Sequence, residues 1–595
     1  MKFEKLTKAD KEKAKALYYD KKKPWDVRMR ELMKLFGRSE RITRTWLVKL
    51  GLKEKVVEES KEFLDAKKRK FNKEKKVFFF TWAQNKTPIH KNFLANMEAY
   101  AEFLDADIHV IAGRYKNPTS VFTDKKYDTW ASEVVPYLDA NRHDIHKYLS
   151  ILSDIKIQPT AENPLNGIKG VSGTNSCIVG SPRVHMEVIP ALQGYKPKVM
   201  WTTGAVTKKN YTDSKSGKQG EFHHMLGFVI VEIRDKEKFF CRQVTATENG
   251  DFIDLFHEVK SGNITEVKSI SAAVLGDMHL GQENKAVLRE TKKLLDKLKP
   301  DYTIIHDIFD GESVNPHEVK NPFKQYKKEK EGKNILKKEV DTMIEWLSTW
   351  QKYNLAIVRS NHDDFLDRWL IDTDWKKNIK NSMEYMEYAK VLLNDEAPDG
   401  IIPYIINKNF KNIKTLGIND SFRVNGWELA VHGHVGKSGS RGSIDQYRSL
   451  STKLVTGHSH TPGRKDGALV VGTHTELRVG YNVGASSWLH ADVIIHRDGK
   501  AQHILYIGDN NVVEYTTFND PKFATLLKNF KPKKKDITMV SETVEEEEYI
   551  DPDSTQDVEY ECPECGAATF EEEELCESCE LLERREKNQE RRNRY

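Results

Sequence analysis

Five clusters of metal-ligand side chains, each set just after a short apolar run, constrain this chain more than any other feature. They are Gly276-Asp277-Met278-His279, His306-Asp307-Ile308-Phe309-Asp310-Gly311, Ser360-Asn361-His362-Asp363, His432-Gly433-His434 and Gly457-His458-Ser459-His460. The runs before them are Ser271–Leu275, Thr303–Ile305, Leu355–Val358, Leu429–Val431 and Leu454–Thr456. A strand that ends in a loop delivers its last side chains to one edge of a sheet. Several such edges together build one site on a rigid scaffold. Carboxylates, an amide oxygen and imidazoles suit Mn²⁺, Fe²⁺ or Zn²⁺ better than Ca²⁺, which takes oxygen alone. Two such ions roughly 3.5–4 Å apart lower the pKa of water to about 7 and neutralise phosphate oxygens. Taken singly the clusters are ordinary, since Asn-His-Asp also reads as a turn with a helix cap. Taken in order, they point to one metal site.

The region from about Ile270 to His496 resembles the calcineurin-like metallophosphoesterase superfamily, whose pattern is D-x-H, G-D-x-x-D, G-N-H-D, H and G-H-x-H. The resemblance implies an α/β/β/α sandwich core holding two divalent ions, Mn²⁺ foremost, with Fe²⁺, Zn²⁺ or Ni²⁺ as alternatives. It implies that Asp277, His279 and His460 hold the first ion, that Asp307 bridges both, and that Asn361, His432 and His458 hold the second. His362 is implied as proton donor to the leaving oxygen or as a stabiliser of the transition state, with Asp363 orienting it. Tyr481–Ser486 resembles the closing strand and Gly-Ser turn of the family. His306 and Ser360 stand where the family has Gly. His432 and His434 both fit the fourth position; His432 is preferred because it follows the strand directly. His317 is a weaker candidate for phosphate contact, against a plain surface histidine.

At 595 residues the chain exceeds one domain, and three or four are expected. No apolar run approaches the ~18 residues of a membrane span. The opening residues lack an apolar signal core, so the cytoplasm is expected, or the host cytoplasm if a phage encodes the chain. Six cysteines do not make a disulfide scaffold; Cys177 and Cys241 are expected as buried thiols. The net charge of +5 conceals a gradient. Residues 1–70 hold 23 Lys/Arg against 12 Asp/Glu, which points to a DNA partner at that end.

Residues 1–52 read as three short helices, the second opened by Pro24 and closed by Gly37. The third is expected to turn Ile42, Trp46 and Leu50 inward and Arg41, Thr43, Arg44 and Thr45 outward, with Arg41 and Arg44 set to contact DNA. The segment resembles homeodomain-like helix-turn-helix modules; the alternative is a small basic bundle packed on the rest of the chain. Residues 53–75 read as a charged helical linker. Residues 76–262 read as a second α/β domain opened by a parallel βαβ unit, with no constellation that assigns a role. The phosphoesterase-like region takes residues 263–530, and an acidic linker takes 531–560. In residues 561–595, Cys562, Cys565, Cys576 and Cys579 form paired C-x₂-C knuckles. These read as a zinc ribbon with one structural Zn²⁺, ahead of a basic tail.

The foremost expectation is a metal-dependent phosphodiesterase acting as a DNA nuclease, similar to the SbcD-type DNA-processing branch. The overall layout is similar to large phage proteins linked to degradation of host DNA early in infection. The alternatives are a phosphatase or phosphodiesterase acting on small nucleotides or phosphoproteins, and a non-enzymatic DNA-binding regulator. DNA is the expected partner, with no membrane. A homo-oligomer or protein contact through the second domain or the tail is a further possibility.

Overall fold

A computed structural model describes residues 1–517 apart from 1–2, 4–5, 21, 53–57, 117–126, 451, 481 and 509–510, and also residues 560–561 and 568–569. The chain divides into two units, Met1–Pro532 and Lys533–Tyr595.

The first helices are α1 (Lys8–Tyr19), α2 (Trp25–Phe36) and α3 (Glu40–Lys49). A capping box starts α1: Thr7 Oγ1 accepts from the Asp10 amide and Asp10 Oδ2 from the Thr7 amide. Gly37, at φ 59°, takes the left-handed turn that ends α2. Leu32, Phe36, Trp46 and Leu47 are buried together, with the Phe3 and Phe36 rings 5.5 and 5.3 Å from Trp46. The buried face of α3 differs from the expected one. Thr43 is fully buried and Ile42 is 40% exposed. The set 43, 46, 47 and 50 satisfies helical spacing as well as 42, 46 and 50 does, and packing selects it. The expected linker contains one short helix, α4 (Lys61–Ala66), which docks by stacking Phe63 on Trp130 at 5.6 Å.

Beyond α4, three large sheets, of ten, five and six strands, build the first unit, beside a three-stranded sheet over residues 252–266 and a two-stranded one over residues 507–514. Strands β1 (Val77–Gln84), β2 (Ala106–Gly113) and β3 (Leu138–Asp139) run parallel, with α5 (Lys91–Phe103) crossing between the first two. Next come β4 (Arg142–His146), β5 (Leu149–Leu152), β6 (Ser176–Val179), β7 (His185–Ile189) and β8 (Lys198–Thr202). The hairpin β9 (Gly227–Ile233) and β10 (Phe239–Thr245) then pairs antiparallel with β1.

The later residues repeat this course. Strands β11 (Ala272–Val274), β12 (Tyr302–His306), β13 (Leu355–Val358) and β14 (Lys414–Leu416) run parallel, with α6 (Lys285–Leu298) between the first two and α7 (Leu336–Trp350) next. Helix α8 (Asp363–Asp372) follows β13. Then come β15 (Arg423–Val424), β16 (Trp427–Glu428), β17 (Lys453–Thr456), β18 (Gly463–Lys465) and β19 (Ala468–Val470). The hairpin β20 (Ala491–Ile495) and β21 (Ala501–Leu505) pairs antiparallel with β11.

Strands β4–β8 and β15–β19 form one ten-stranded sheet in the order β15-β16-β17-β19-β18-β7-β8-β6-β5-β4. Read outward from its middle, both arms have the same pairing: antiparallel, parallel, parallel, antiparallel. Even the isolated bridges recur. Trp82 bridges Ala205 and Ile89 bridges Thr207, as Asp277 bridges Thr473 and Glu283 bridges Thr475. Residues 76–262 and 263–517 are therefore two copies of one topology, fused where β7 pairs antiparallel with β18, rather than two unlike domains. The long sheet covers both smaller sheets. Phe78, Phe80 and Val229 meet Ile178, Met186 and Trp201 on one side, and Val274, Ile304 and Val358 meet Val455 and Leu469 on the other. Helices cover the far faces of the smaller sheets.

Ser486 makes a single bridge to Ala191, and the strand that returns to β11 begins only at Ala491, beyond the expected Tyr481–Ser486. Tyr481 itself lies outside the described residues. No helix among the described residues is long and apolar enough to cross a membrane. In the second unit Tyr560–Glu561 pairs antiparallel with Ala568–Thr569. The expected zinc ligands Cys562, Cys565, Cys576 and Cys579 lie outside the described residues.

Candidate metal centre

The loops after β11, β12 and β13 carry Asp277, Asp307 and Asn361. Those after β16 and β17, in the facing sheet, carry His432, His458 and His460. The two sheets thus deliver their ligand types to one shared edge. His279, Asp307, His458 and His460 all sit at positive φ, between 43° and 70°. Non-glycine residues in that region store local strain, and such residues cluster at functional sites.

Two groups result. In the first, His460 Nε2 lies 3.1 Å from Asp277 Oδ2 and 3.1 Å from His279 Nε2, and His279 Nε2 lies 3.3 Å from Asp307 Oδ2. In the second, His432 Nε2 lies 3.2 Å from Asp307 Oδ2 and 3.2 Å from Asn361 Oδ1, which is 2.9 Å from His458 Nδ1. One oxygen, Asp307 Oδ2, belongs to both. The seven residues expected as ligands are thus brought together. Asp277, His279, Asp307, His432 and His460 are buried.

The donor set fits divalent cations. Asp277 Oδ1 and Asp307 Oδ1 are buried without a hydrogen-bond partner, a costly state for a carboxylate unless a cation balances it. Two imidazole nitrogens converging at 3.1 Å, His279 Nε2 and His460 Nε2, suit an ion between them. A carboxylate behind a ligand histidine fixes its tautomer, and Asp310 Oδ1 lies 3.1 Å from His279 Nδ1. The buried group His109, Asp139 and His143 in the first copy also has metal-ligand types. There, however, His109 Nδ1 meets Asp139 at 2.7 Å, His109 Nε2 meets Asp107 at 3.2 Å, and His143 Nε2 meets Asp139 at 2.9 Å. That group satisfies itself.

Burial pushes Asp307 towards its neutral form, but His432, His362 and His279 outweigh it and hold the carboxyl well below the usual range. Burial likewise opposes a charged His279, and Asp307 and Asp310 raise it regardless.

His362 caps the start of α8. Its Nδ1 donates to the Asp310 carbonyl at 2.6 Å, and its ring lies 4.4 Å from that of His279. With Nδ1 engaged, Nε2 is the nitrogen open to a ligand. Asp363 does not orient it. Asp363 Oδ2 accepts from the Ser360 amide at 2.9 Å, and burial pushes its carboxyl up to about 8. A side chain in the first turn of a helix curls back onto free amides, which is what Asp363 does. Asp310, the second Asp of the G-D-x-x-D pattern, is the residue that holds His362.

His306 packs behind His432, Nδ1 to Nδ1 at 3.4 Å, and burial pushes it down to about 4. Gly457 is required where it stands, because a Cβ there would come within 2.1 Å of Asp277 Oδ1. His434 belongs to neither group. Its ring is 5.3 Å from that of His432, beside a cavity of about 270 Å³ that Arg359 and Lys437 also line. His317 is exposed and packs edge-on against Phe365, whose ring lies 4.5 Å from His362.

Among the described residues, the first copy has no such centre at the equivalent place. Gly180-Ser181-Pro182-Arg183 follow β6 as Gly457-His458-Ser459-His460 follow β17. Trp82 takes the bridge position of Asp277. A Cβ on Gly180 would meet the Trp82 ring at 2.7 Å, so an indole fills the space that Asp277 occupies in the other copy.

In the helical module, Arg44 is paired with Glu40 at 2.5 Å and is 43% exposed. Arg41 lies in α3, its side chain outside the described residues. Cys177 and Cys241 are buried free thiols.

Fold and site together define a multidomain α/β protein with a buried His/Asp centre able to hold metal ions. No protein-family model matches the chain, and no solved structure matches it. It is 32% identical over 462 residues to Protein A1 of Escherichia phage T5, covering 72% of this chain and 81% of that protein. The chain belongs to the family of that phage protein.

Proposed function

We infer that the chain is a phosphodiesterase of the calcineurin-like metallophosphoesterase type, and that its substrate is DNA. The observation that carries the reading is the position of Asp307 Oδ2, shared between His279 at 3.3 Å and His432 at 3.2 Å. A carboxylate so placed serves two cation sites at once. When bound, two divalent ions, Mn²⁺ foremost, supply Lewis acidity and charge neutralisation at a phosphate. The chain's own residues do the rest. His362 offers Nε2 beside the first group, fixed by the Asp310 carbonyl, as proton donor to the leaving oxygen. His306 and Asp310 hold His432 and His279 in place. The basic module of residues 1–52 supplies DNA affinity through phosphate contacts.

The test is hydrolysis by the full-length protein with Mn²⁺ of linear duplex DNA, circular single-stranded DNA and a small aryl phosphodiester. Cleavage of DNA that chelator abolishes is expected. Cleavage of the small diester alone would favour a phosphodiesterase of small nucleotides. No hydrolysis of any substrate, with DNA still bound, would favour a DNA-binding regulator.

A further inference from the structure

A cavity of about 1060 Å³ lies away from the metal centre, between the two copies. From the first copy, the segments around Lys208, Phe222 and Glu248 line it. From the second, those around Trp427, Lys453, Arg464 and Lys500 do so. Lys453 starts β17 and His458 follows its end. At about 3.3 Å per residue, the two lie roughly 16 Å apart along the strand. Trp427 likewise opens the strand that leads to His432. The cavity therefore belongs to the opposite edge of the long sheet.

Its charge is one-sided. Lys208, Lys209, Arg448, Lys453, Arg464 and Lys500 line it, against the carboxylates of Glu248 and Asp466. Asp466 is already engaged, 2.7 Å from Arg448 Nε and 3.1 Å from His185 Nε2. Arg464 is the informative residue. It is 2% exposed, its Nε has no hydrogen-bond partner, and Nη1 reaches only the Ala501 carbonyl at 3.4 Å. Burial pushes the guanidinium down to about 10 and moves Lys500 below its usual range. The one carboxylate that faces Arg464, Asp466, is shared among Arg183, Arg448 and His185, and a buried guanidinium without an ion pair of its own, at the wall of a cationic cavity, calls for an anion. Phe222, at the end of the Lys215–Phe222 helix, is 81% exposed, lines the same cavity and offers a ring face for stacking.

We propose that this cavity is a second, non-catalytic ligand site that binds a mononucleotide, its phosphate held by Arg464, Lys453 and Lys500 and its base stacked on Phe222. The proposal does not depend on the reading of the metal centre.

Equilibrium dialysis of the full-length protein in EDTA, which removes metal-dependent binding, tests it with dAMP, inorganic phosphate and a single-stranded DNA 12-mer as probes. Saturable uptake of one dAMP per chain is expected, about tenfold or more tighter than phosphate. The double variant Lys453→Glu/Lys500→Glu should weaken dAMP binding about tenfold or more while the protein still melts cooperatively. Phe222→Ala should reduce dAMP to the affinity of phosphate. Arg464→Gln should also lose dAMP; the other variants carry the test if it fails to fold. The proposal is overturned if the double variant binds dAMP like the parent. It is equally overturned if phosphate binds as tightly as dAMP, or if only the 12-mer binds.

Discussion

Asp310 and His362 are joined by a 2.6 Å hydrogen bond from the imidazole Nδ1 to the backbone carbonyl. The carboxylate of the same Asp310 lies 3.1 Å from His279 Nδ1. One residue thus sets both a candidate ligand and the candidate proton donor, so the two imidazoles keep a fixed distance.

His362→Ala is expected to keep its metal content and to lose turnover by about 10²–10⁴-fold, the range for a general acid. Elemental analysis beside a rate measurement checks this; loss of an ion would make His362 a ligand. Asp363→Asn should change turnover little, because the Asp363 side chain accepts from the Ser360 amide, as an amide oxygen also can, and does not touch His362.

Asp307→Asn should be the most damaging single ligand change, since Oδ2 is common to both groups. Both ions should be lost together, with Mn²⁺-dependent hydrolysis. Retention of full activity in the presence of chelator would refute the two-metal reading.

His432→Ala should remove one of the two ions, whereas His434→Ala should keep both. His432 Nε2 is within 3.2 Å of Asp307 and Asn361, and His434 reaches neither group. Equal metal loss in the two variants would overturn that distinction.

The ligand pattern was legible because chemistry at a strand end is local: five loops each carry their own residue types. What stayed hidden was relational. The expected Asp363–His362 contact failed because a helix-start carboxylate has nearer amides to satisfy. The face of α3 turned because Thr43 and Ile42 both fit the periodicity. The duplication left no trace that spacing could reveal, since Trp82, Ser181 and Arg183 stand where Asp277, His458 and His460 do. Only strand pairing exposes it.

Stability of the first copy should fall as pH rises. Burial works against a charged His109, but Asp107 and Asp139 raise it above 6.5. A raised imidazole contributes stability that is complete below its unfolded value of about 6.5 and is lost as pH climbs through the folded one. Thermal melts from about pH 6.5 upward should show that decline; below it, His185, His224 and His257, which burial pushes down, work in the other direction. Asp139→Asn should flatten it while destabilising the parent fold by about 3–5 kcal/mol at acid pH, as breaking a buried pair does. An unchanged slope in the variant would remove His109 as its source.

In the helical module, Trp46→Ala should unfold residues 1–52, at a cost of about 3–5 kcal/mol, because the ring is buried against Phe3 and Phe36. Arg41→Ala with Arg44→Ala should leave the fold intact and reduce the salt slope of DNA binding by about one to two units. An unaltered slope would mean that the module does not read DNA.

The β7–β18 seam bears on how such a protein can change through descent. Severing the chain near residue 262 would bare the Met186 edge on one fragment and the Arg464 edge on the other, and uncovered strand edges invite aggregation. The copy without the ligand set thus has a structural part to play: it covers the border strand of the copy that carries them.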